Sequence, residues 1–180
     1  MEKARTQPAS RPEPDTGPAP QRSGPIPFGR FYAIRSAVSR AIARSSDGAD
    51  LMESACRSAL IGGHLKMAWI GFVGPDNRIR PEVWAGQVDG YLDAVTLSAS
   101  AADQHSIGPS GRAILGNEPV AVRDIATDPS MGLWREEALA RGYRSSAALP
   151  LTRLGQPYGV FSVYSGETGA FDDDELQLLA

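Results

Sequence analysis

The sequence predicts an α+β fold in which helices cover one face of a central antiparallel sheet, in two or three layers. One short stretch is apolar on both of its alternating sides, as a buried strand is. Two pairs of strand-like segments are each joined by a short turn, and helical patterns lie towards both ends of the chain. Strands joined by short turns pair antiparallel, which leaves the helices to pack on a face of the sheet.

Composition and charge bound the class of protein. The chain has 180 residues, of which 42% are hydrophobic and 22% charged, enough for one domain. A net charge of −3 gives no reason to expect a nucleic acid or an anionic membrane as partner. Cys56 has no second cysteine to pair with, and neither a secretory signal nor a membrane-spanning stretch is visible, so we expect a cytoplasmic protein.

The first 29 residues differ from the rest. Seven of the 14 prolines lie before residue 28, among polar and charged residues. Such a segment buries too little apolar surface to offset its ordering entropy, so residues 1–29 are predicted to be a disordered tail or linker. Residues 30–180 are predicted to be one domain.

The pivotal element is the predicted strand over residues 66–73. Alternation places Met67 and Trp69 on one side and Ala68 and Ile70 on the other, so both faces must be covered. A turn at 74–77 leads into a more polar strand at 78–85, and its proline indicates a position nearer the sheet edge.

The remaining elements follow from periodicity and turn residues. A first helix carries an apolar stripe of Phe31, Ile34, Val38 and Ile42, and a second runs from Asp50 to a glycine pair at 62–63. We expect short helices at 90–93 and 108–116, a mobile loop at 98–107, a strand at 118–124 and a helix at 131–141. A second hairpin at 144–151 and 158–164 precedes an acidic helix start at 172–175.

In this order the segments resemble a GAF domain, a small-molecule sensor module of phosphodiesterases, phytochromes and bacterial signalling proteins. The resemblance covers about residues 30–180 and implies that the terminal helices mediate dimerisation. It also implies that loops and short helices between residues 91 and 141 roof a ligand pocket on the other face of the sheet. The motifs that carry it are 68–73 (AWIGFV), 108–114 (GPSGRAI), 122–125 (VRDI), 128–129 (DP), 143–151 (YRSSAALPL) and 159–164 (GVFSVY), followed by Phe171.

Candidate ligand-binding residues follow from chemistry and from this resemblance. Aromatic rings stack on a planar ligand or fill a core, and Arg112 near a helix start pairs with an anion or lies on the surface. The acidic candidate contacts a ligand or holds its own loop, and two serine hydroxyls offer hydrogen bonds. The candidates are Trp69, Gly71, Trp84, Tyr91, Arg112, Asp124, Trp134, Ser145 and Ser146.

Catalytic and cofactor signals are weak. His64 and His105 are far apart, no metal-ligand spacing of Cys or His occurs, and no phosphate-binding loop is present. Family members that reduce free methionine sulfoxide use several cysteines, and those that bind bilins use a cysteine near a histidine, whereas Cys56 is alone. The sequence therefore predicts no enzyme and supports no haem, bilin or metal site, which leaves any cofactor unknown.

The leading hypothesis is a regulatory GAF domain of a bacterial signalling protein that binds an unidentified small molecule. It would form a homodimer through its terminal helices and act on an output domain beyond Ala180. A ligand-free structural or dimerisation module is the alternative, and a redox enzyme of the GAF family is a remote one. A cavity beside Trp69 would favour the sensor, and interlocked aromatic rings would favour the module.

Overall fold

A five-stranded antiparallel sheet forms the centre of the protein, in a computed structural model that describes residues 48–100 and 107–171. The strand order is β2-β1-β5-β4-β3, and every neighbouring pair is antiparallel. This confirms the predicted α+β class and both hairpins. The strands are β1 (Met67–Val73), β2 (Ile79–Gly86), β3 (Val120–Val122), β4 (Ser145–Arg153) and β5 (Gln156–Ser165).

Helices lie on both faces of this sheet. The long helix is α1 (Gly48–Gly63), and α2 (Tyr91–Ala94), α3 (Pro109–Gly116) and α4 (Arg135–Ala140) are short. The single helix expected over 131–141 is instead a 3₁₀ turn, Pro129–Met131, followed by α4. Proline at the first position starts the turn, Asp128 caps it, and Gly132 follows as a poor helix former.

Strand β1 is buried on both faces, as its sequence predicts. It lies between β2 and β5, and Met67 and Trp69 have no exposed surface on one side. On the other side Ala68 and Ile70 belong to a second apolar core. The sheet therefore separates two cores, and β1 contributes to both.

Strand β2 is an edge strand, as its proline predicts. Val83 pairs with Ile70 and Pro81 pairs with Gly71, so Glu82 is an extra residue that forms a β-bulge. Gly71 is required at this point, because a Cβ there would lie 2.6 Å from the Arg80 carbonyl oxygen.

Helix α1 covers β1 and β2 on the face away from the short helices. Cys56 and Ala59 are fully buried there. The helix runs through the glycine pair that was expected to stop it, and His64 adopts the left-handed conformation with φ 50°. The Leu65 N–H then donates to the Leu60 carbonyl oxygen at 3.1 Å, which closes the helix end.

Several predicted features lie outside the described residues. They are the tail at 1–29, the apolar stripe from Phe31 to Ile42, most of the loop at 98–107 and the acidic helix start after Phe171. Phe171 itself is fully buried in the core beneath α1.

Burial of Cys56 gives a first prediction. Burial and the nearby Glu53 carboxylate raise the pKa of the Cys56 thiol from 9.0 to about 12, with Arg57 opposing in part. At pH 8 the thiolate population is then about a thousandfold lower than for an unperturbed thiol, and we expect native Cys56 to resist alkylation by iodoacetamide. Mass spectrometry should detect labelling only after denaturation.

The control is Ile61→Cys in a Cys56→Ala background, since position 61 is 80% exposed on the same helix. That thiol should react in the native protein. Equal labelling rates for the two native proteins would contradict the burial of Cys56.

Candidate functional site

The face of the sheet opposite α1 is the candidate site, and we call it the roofed face. Its roof consists of α2, α3, the 3₁₀ turn and α4, whose apolar side chains share one core with the strands. Strand register aligns side chains in two rows across this face. One row contains Met67, Tyr164, Ser146 and Val122, and the next contains Trp69, Ser162, Ala148 and Val120.

Trp69 lies at the β1 end of the second row. Its side chain is fully buried, and ring atom Cζ3 would lie 2.8 Å from a Cβ at position 71, so the indole packs over Gly71. The indole Nε1–H has no hydrogen-bond partner among the described residues. Burial of an unpaired donor carries a desolvation cost of about 1–3 kcal/mol.

Trp134 holds the roof together. Its indole N–H donates to the Thr96 carbonyl oxygen at 3.1 Å, and its ring lies 3.3 Å from the Cβ position of Gly108. A glycine at 108 therefore lets α3 begin against the ring. Unlike Trp69, Trp134 has all of its polar capacity satisfied.

A pair of hydroxyls joins the roof to the sheet. Ser110 Oγ on α3 and Ser162 Oγ on β5 are 3.0 Å apart, and both side chains are buried. The two hydroxyl hydrogens share this one bond, so one hydrogen is left for another acceptor. Neither serine is among the predicted site residues, because nothing in the local sequence indicates that residues 52 positions apart meet.

Three tyrosines pack beside Trp69. Tyr91 meets Tyr143 and Tyr164 edge to face with ring centroids 5.3 and 5.6 Å apart, and Tyr143 lies 5.0 Å from Tyr164. The Tyr143 hydroxyl donates to the Gln87 carbonyl oxygen. Tyr91 was a predicted site residue, whereas the other two were recognised only within strand motifs.

Burial raises the pKa of all three tyrosines. It brings the pKa of Tyr143 to about 12, and it holds Tyr91 and Tyr164 above their usual range. Polar contacts of Tyr91 and Trp69 with the Tyr164 hydroxyl oppose part of the rise for Tyr164. The Trp69 N–H lies near the Tyr164 hydroxyl but does not form a hydrogen bond of normal geometry with it.

Neighbouring serines on β4 face opposite sides. Ser146 is on the roofed face, 3% exposed, and its hydroxyl has no partner among the described residues. Ser145 faces the α1 side, where its hydroxyl donates to the Glu167 carbonyl oxygen at 2.6 Å. Only Ser146 of this pair is placed for a ligand on the roofed face.

The other predicted site residues lie away from the buried part of this face. Trp84 pairs with Trp69 across β1 and β2 but is 51% exposed, because β2 is the sheet edge. Arg112 is exposed on α3. Asp124 accepts hydrogen bonds from Ala126 N and Thr127 Oγ1, both at 3.0 Å, and so holds its own loop.

An open depression of about 380 Å³ lies near this loop, outside the roofed face. Its carboxylates are engaged, since Asp128 accepts from Ser130 N at 2.8 Å and Asp124 from its loop. The residues that line it are Ala121, Arg123, Asp124, Thr127, Asp128 and Pro129.

Residues 48–100 and 107–171 contain neither a cluster of metal ligands nor a helix able to span a membrane. In these ranges no three His, Cys, Asp or Glu side chains come together as metal ligands would. Within the same ranges, none of the helices combines the length and the apolar character that crossing a bilayer requires.

The sheet and the helices on its two faces define an α+β domain, and comparison with known proteins identifies the family. The GAF domain family model matches residues 45–180, so the chain belongs to the GAF domain family. None of the curated proteins compared with the chain matches it.

Solved structures with this fold include signalling domains. The GAF domain region of a protein from Geobacter sulfurreducens is 25% identical, with a TM-score of 0.61, over 78% of this chain and 90% of that one. A domain from Sinorhizobium meliloti, assigned to a two-component sensor histidine kinase, is 18% identical with a TM-score of 0.57. The match covers 75% of this chain and 85% of that one.

Other structures with this fold are enzymes. A free methionine-R-sulfoxide reductase from Neisseria meningitidis is 17% identical, with a TM-score of 0.65, over 87% of this chain and 86% of that one. Further free methionine-R-sulfoxide reductases match as well. The expectation that this chain is no enzyme was therefore wrong as an exclusion, because the fold itself supports catalysis. At this identity the likeness concerns the fold, and enzyme status is unresolved.

The position of the thiol bears on such chemistry. Cys56, the one cysteine of the sequence, lies beneath α1, on the opposite side of the sheet from the roofed face. The sheet thus separates this thiol from any molecule that binds around Trp69.

The two neighbouring serines of β4 make a matched prediction. We expect Ser145→Ala to lower the free energy of unfolding by about 1 kcal/mol, because the Glu167 carbonyl loses its donor. Ser146→Ala should be neutral or stabilising by up to about 1 kcal/mol, since it removes an unpaired buried hydroxyl. Urea unfolding of both variants measures the difference, and an equal loss in both would contradict the unpaired state of Ser146.

The tyrosine cluster predicts loss of stability at high pH. The folded pKa of each tyrosine lies above its ordinary value of 10, so its stabilising contribution is complete below pH 10 and is lost as pH rises through the folded pKa. Above pH 10, each tyrosine lowers the free energy of unfolding by up to about 1.4 kcal/mol for every further pH unit. Urea unfolding at pH 8, 10 and 11 measures this loss of free energy. Tyrosinate absorbance in the same samples reports the ionisation of the tyrosines. A free energy of unfolding that stays constant from pH 8 to 11 would refute this.

Proposed function

We propose that this chain is a regulatory GAF domain of a signal-transduction protein, and that a small molecule binds on the roofed face around Trp69. The observation that supports this most directly is the buried, unpaired indole N–H of Trp69 on the central part of the sheet. Native proteins pair nearly all buried polar groups, so an unpaired donor in a roofed position favours a partner from outside the chain.

A second unpaired group supports the same location. The Ser146 hydroxyl is on the same face, in the neighbouring row and two strand spacings (about 10 Å) across the sheet from Trp69, with strand β5 between them. Of the candidates from the sequence, Trp69, Gly71, Tyr91, Trp134 and Ser146 belong to this proposal. The proposed binding site does not use the other four candidates, which lie outside the buried part of the roofed face. They are Trp84, Arg112, Asp124 and Ser145.

Regulation is proposed to pass through β1 to the helix behind it. Trp69 faces the ligand, while its neighbours Ala68 and Ile70 pack beneath α1. A ligand that favours one position of β1 would therefore favour one packing of α1, provided that it binds the two arrangements with different affinity. Dimerisation through the terminal helices and an output domain beyond Ala180 are parts of this proposal.

A ligand-free structural module is the second candidate function. The close edge-to-face packing of Tyr91, Tyr143 and Tyr164 favours it, since these rings fill the space beside Trp69 by themselves. Such a module would hold two copies together without sensing. Sedimentation would then show a dimer whose stability no small molecule alters.

The deciding experiment is a melting screen against nucleotides, amino acids and small organic compounds. A true ligand at 100 times its dissociation constant adds about 2.7 kcal/mol of stability. For a chain of this size that is a rise of about 5–10 °C in melting temperature. Ser146→Ala should reduce the rise, whereas Trp84→Phe at the exposed edge should preserve it. A screen without any stabilising compound would favour the structural module.

A further inference from the structure

The roofed face presents hydrogen-bond donors. Trp69 Nε1–H is a donor with no acceptor capacity, and its partner must therefore accept. Ser146 can donate, and the bond between Ser110 and Ser162 leaves one more hydroxyl hydrogen to give. A molecule that satisfies these groups carries acceptor atoms.

Among the described residues, no charged side chain is buried on this face. The buried polar side chains there are all serines, and the core that joins sheet and roof contains no ionisable group other than tyrosine. Burial raises the pKa of those tyrosines, which keeps them neutral at pH 7. An ionised ligand placed here would lose its hydration without gaining a counter-ion, which is costly.

The Arg141 guanidinium borders this face and is already hydrogen-bonded within the chain. Arg141 lies over the Tyr91 ring, 5.7 Å from its centroid, and its guanidinium donates to the Asp89 and Glu137 carbonyl oxygens. The start of α3 also disfavours an anion, because the Ser98 carbonyl oxygen lies 2.1 Å from the Cβ position of Gly111.

We propose that the ligand is an uncharged molecule whose carbonyl oxygen or ring nitrogen accepts the hydrogen bond of the Trp69 indole N–H. This inference rests on the proposed function and names the chemical class that the site takes. An apolar, planar body suits the aromatic surroundings, and further acceptors suit the serine hydroxyls.

Indole N–H resonances test the premise without any ligand. The chain has three tryptophans in three distinct states: Trp69 buried and unpaired, Trp134 bonded to Thr96, and Trp84 half exposed. A ¹⁵N-labelled sample of the full chain gives three signals, which Trp→Phe variants at each position assign. We expect the Trp69 proton upfield of the Trp134 proton. A Trp69 proton as far downfield as that of Trp134 would show that it already has an acceptor, which overturns the inference.

Matched pairs of probes test the class. We would titrate nicotinamide against nicotinate, indole-3-acetamide against indole-3-acetate, and adenosine against adenosine monophosphate. Support is a downfield shift of the Trp69 N–H with a neutral member and an affinity at least about tenfold weaker for its anion. One hydrogen bond is worth about tenfold in affinity, so Ser146→Ala should weaken binding by about that factor and Ser145→Ala should not change it.

The failures are distinguishable. If the anionic members bind and move the Trp69 signal, the inference about charge is overturned and the proposed function stands. If no member moves any tryptophan signal or the melting temperature, both are overturned. If neutral members bind but Ser145→Ala weakens them as much as Ser146→Ala, the site is not on the roofed face and both are again overturned.

Discussion

Burial of β1 on both faces is the constraint on which the rest of the structure depends. Its alternating residues are apolar throughout, so neither face tolerates water. One face needs α1, and the other needs a roof built from short helices. Gly71 admits the Trp69 ring on one face and the Arg80 carbonyl oxygen of the β2 bulge, since a Cβ would collide with both. Covering that strand twice produces two separate cores, and the buried side-chain groups that lack a partner among the described residues, Trp69 Nε1–H and the Ser146 hydroxyl, both lie on the roofed side.

Those unpaired groups distinguish the two faces. Beneath α1 the Ser145 hydroxyl donates a hydrogen bond to the Glu167 carbonyl oxygen, and burial keeps the Cys56 thiol protonated. Polar groups with partners and a neutral thiol are what a purely structural core requires. On the roofed face Trp69 and Ser146 bear the desolvation cost of polar groups without partners. Natural proteins place such costs at functional sites more often than in inert cores. This asymmetry is the physical basis for the proposal that a ligand binds on one face.

The GAF fold supports both sensing and catalysis, so the family alone does not decide function. Signalling domains and methionine sulfoxide reductases share the arrangement of sheet, roof and helix. In this chain the roofed face holds aromatic rings and hydroxyls in the described residues, while its cysteine lies behind the sheet.

Local sequence determined the strands, both hairpins, the edge position of β2 and the burial of β1 on both faces. The reason is that the alternation of side chains along a strand and the preferences of turn residues act over only a few residues. It also determined that Trp69 and Met67 share a face. It did not determine helix ends such as His64, where the chain takes a left-handed conformation that glycine was expected to supply. Only the tertiary structure decided that Trp84 is exposed, that Ser110 meets Ser162, and that Ser146 is unpaired while Ser145 is bonded. Those outcomes depend on which strands are neighbours in the sheet and on where the roof ends. Such contacts join residues far apart in the sequence, so local sequence patterns do not reveal them.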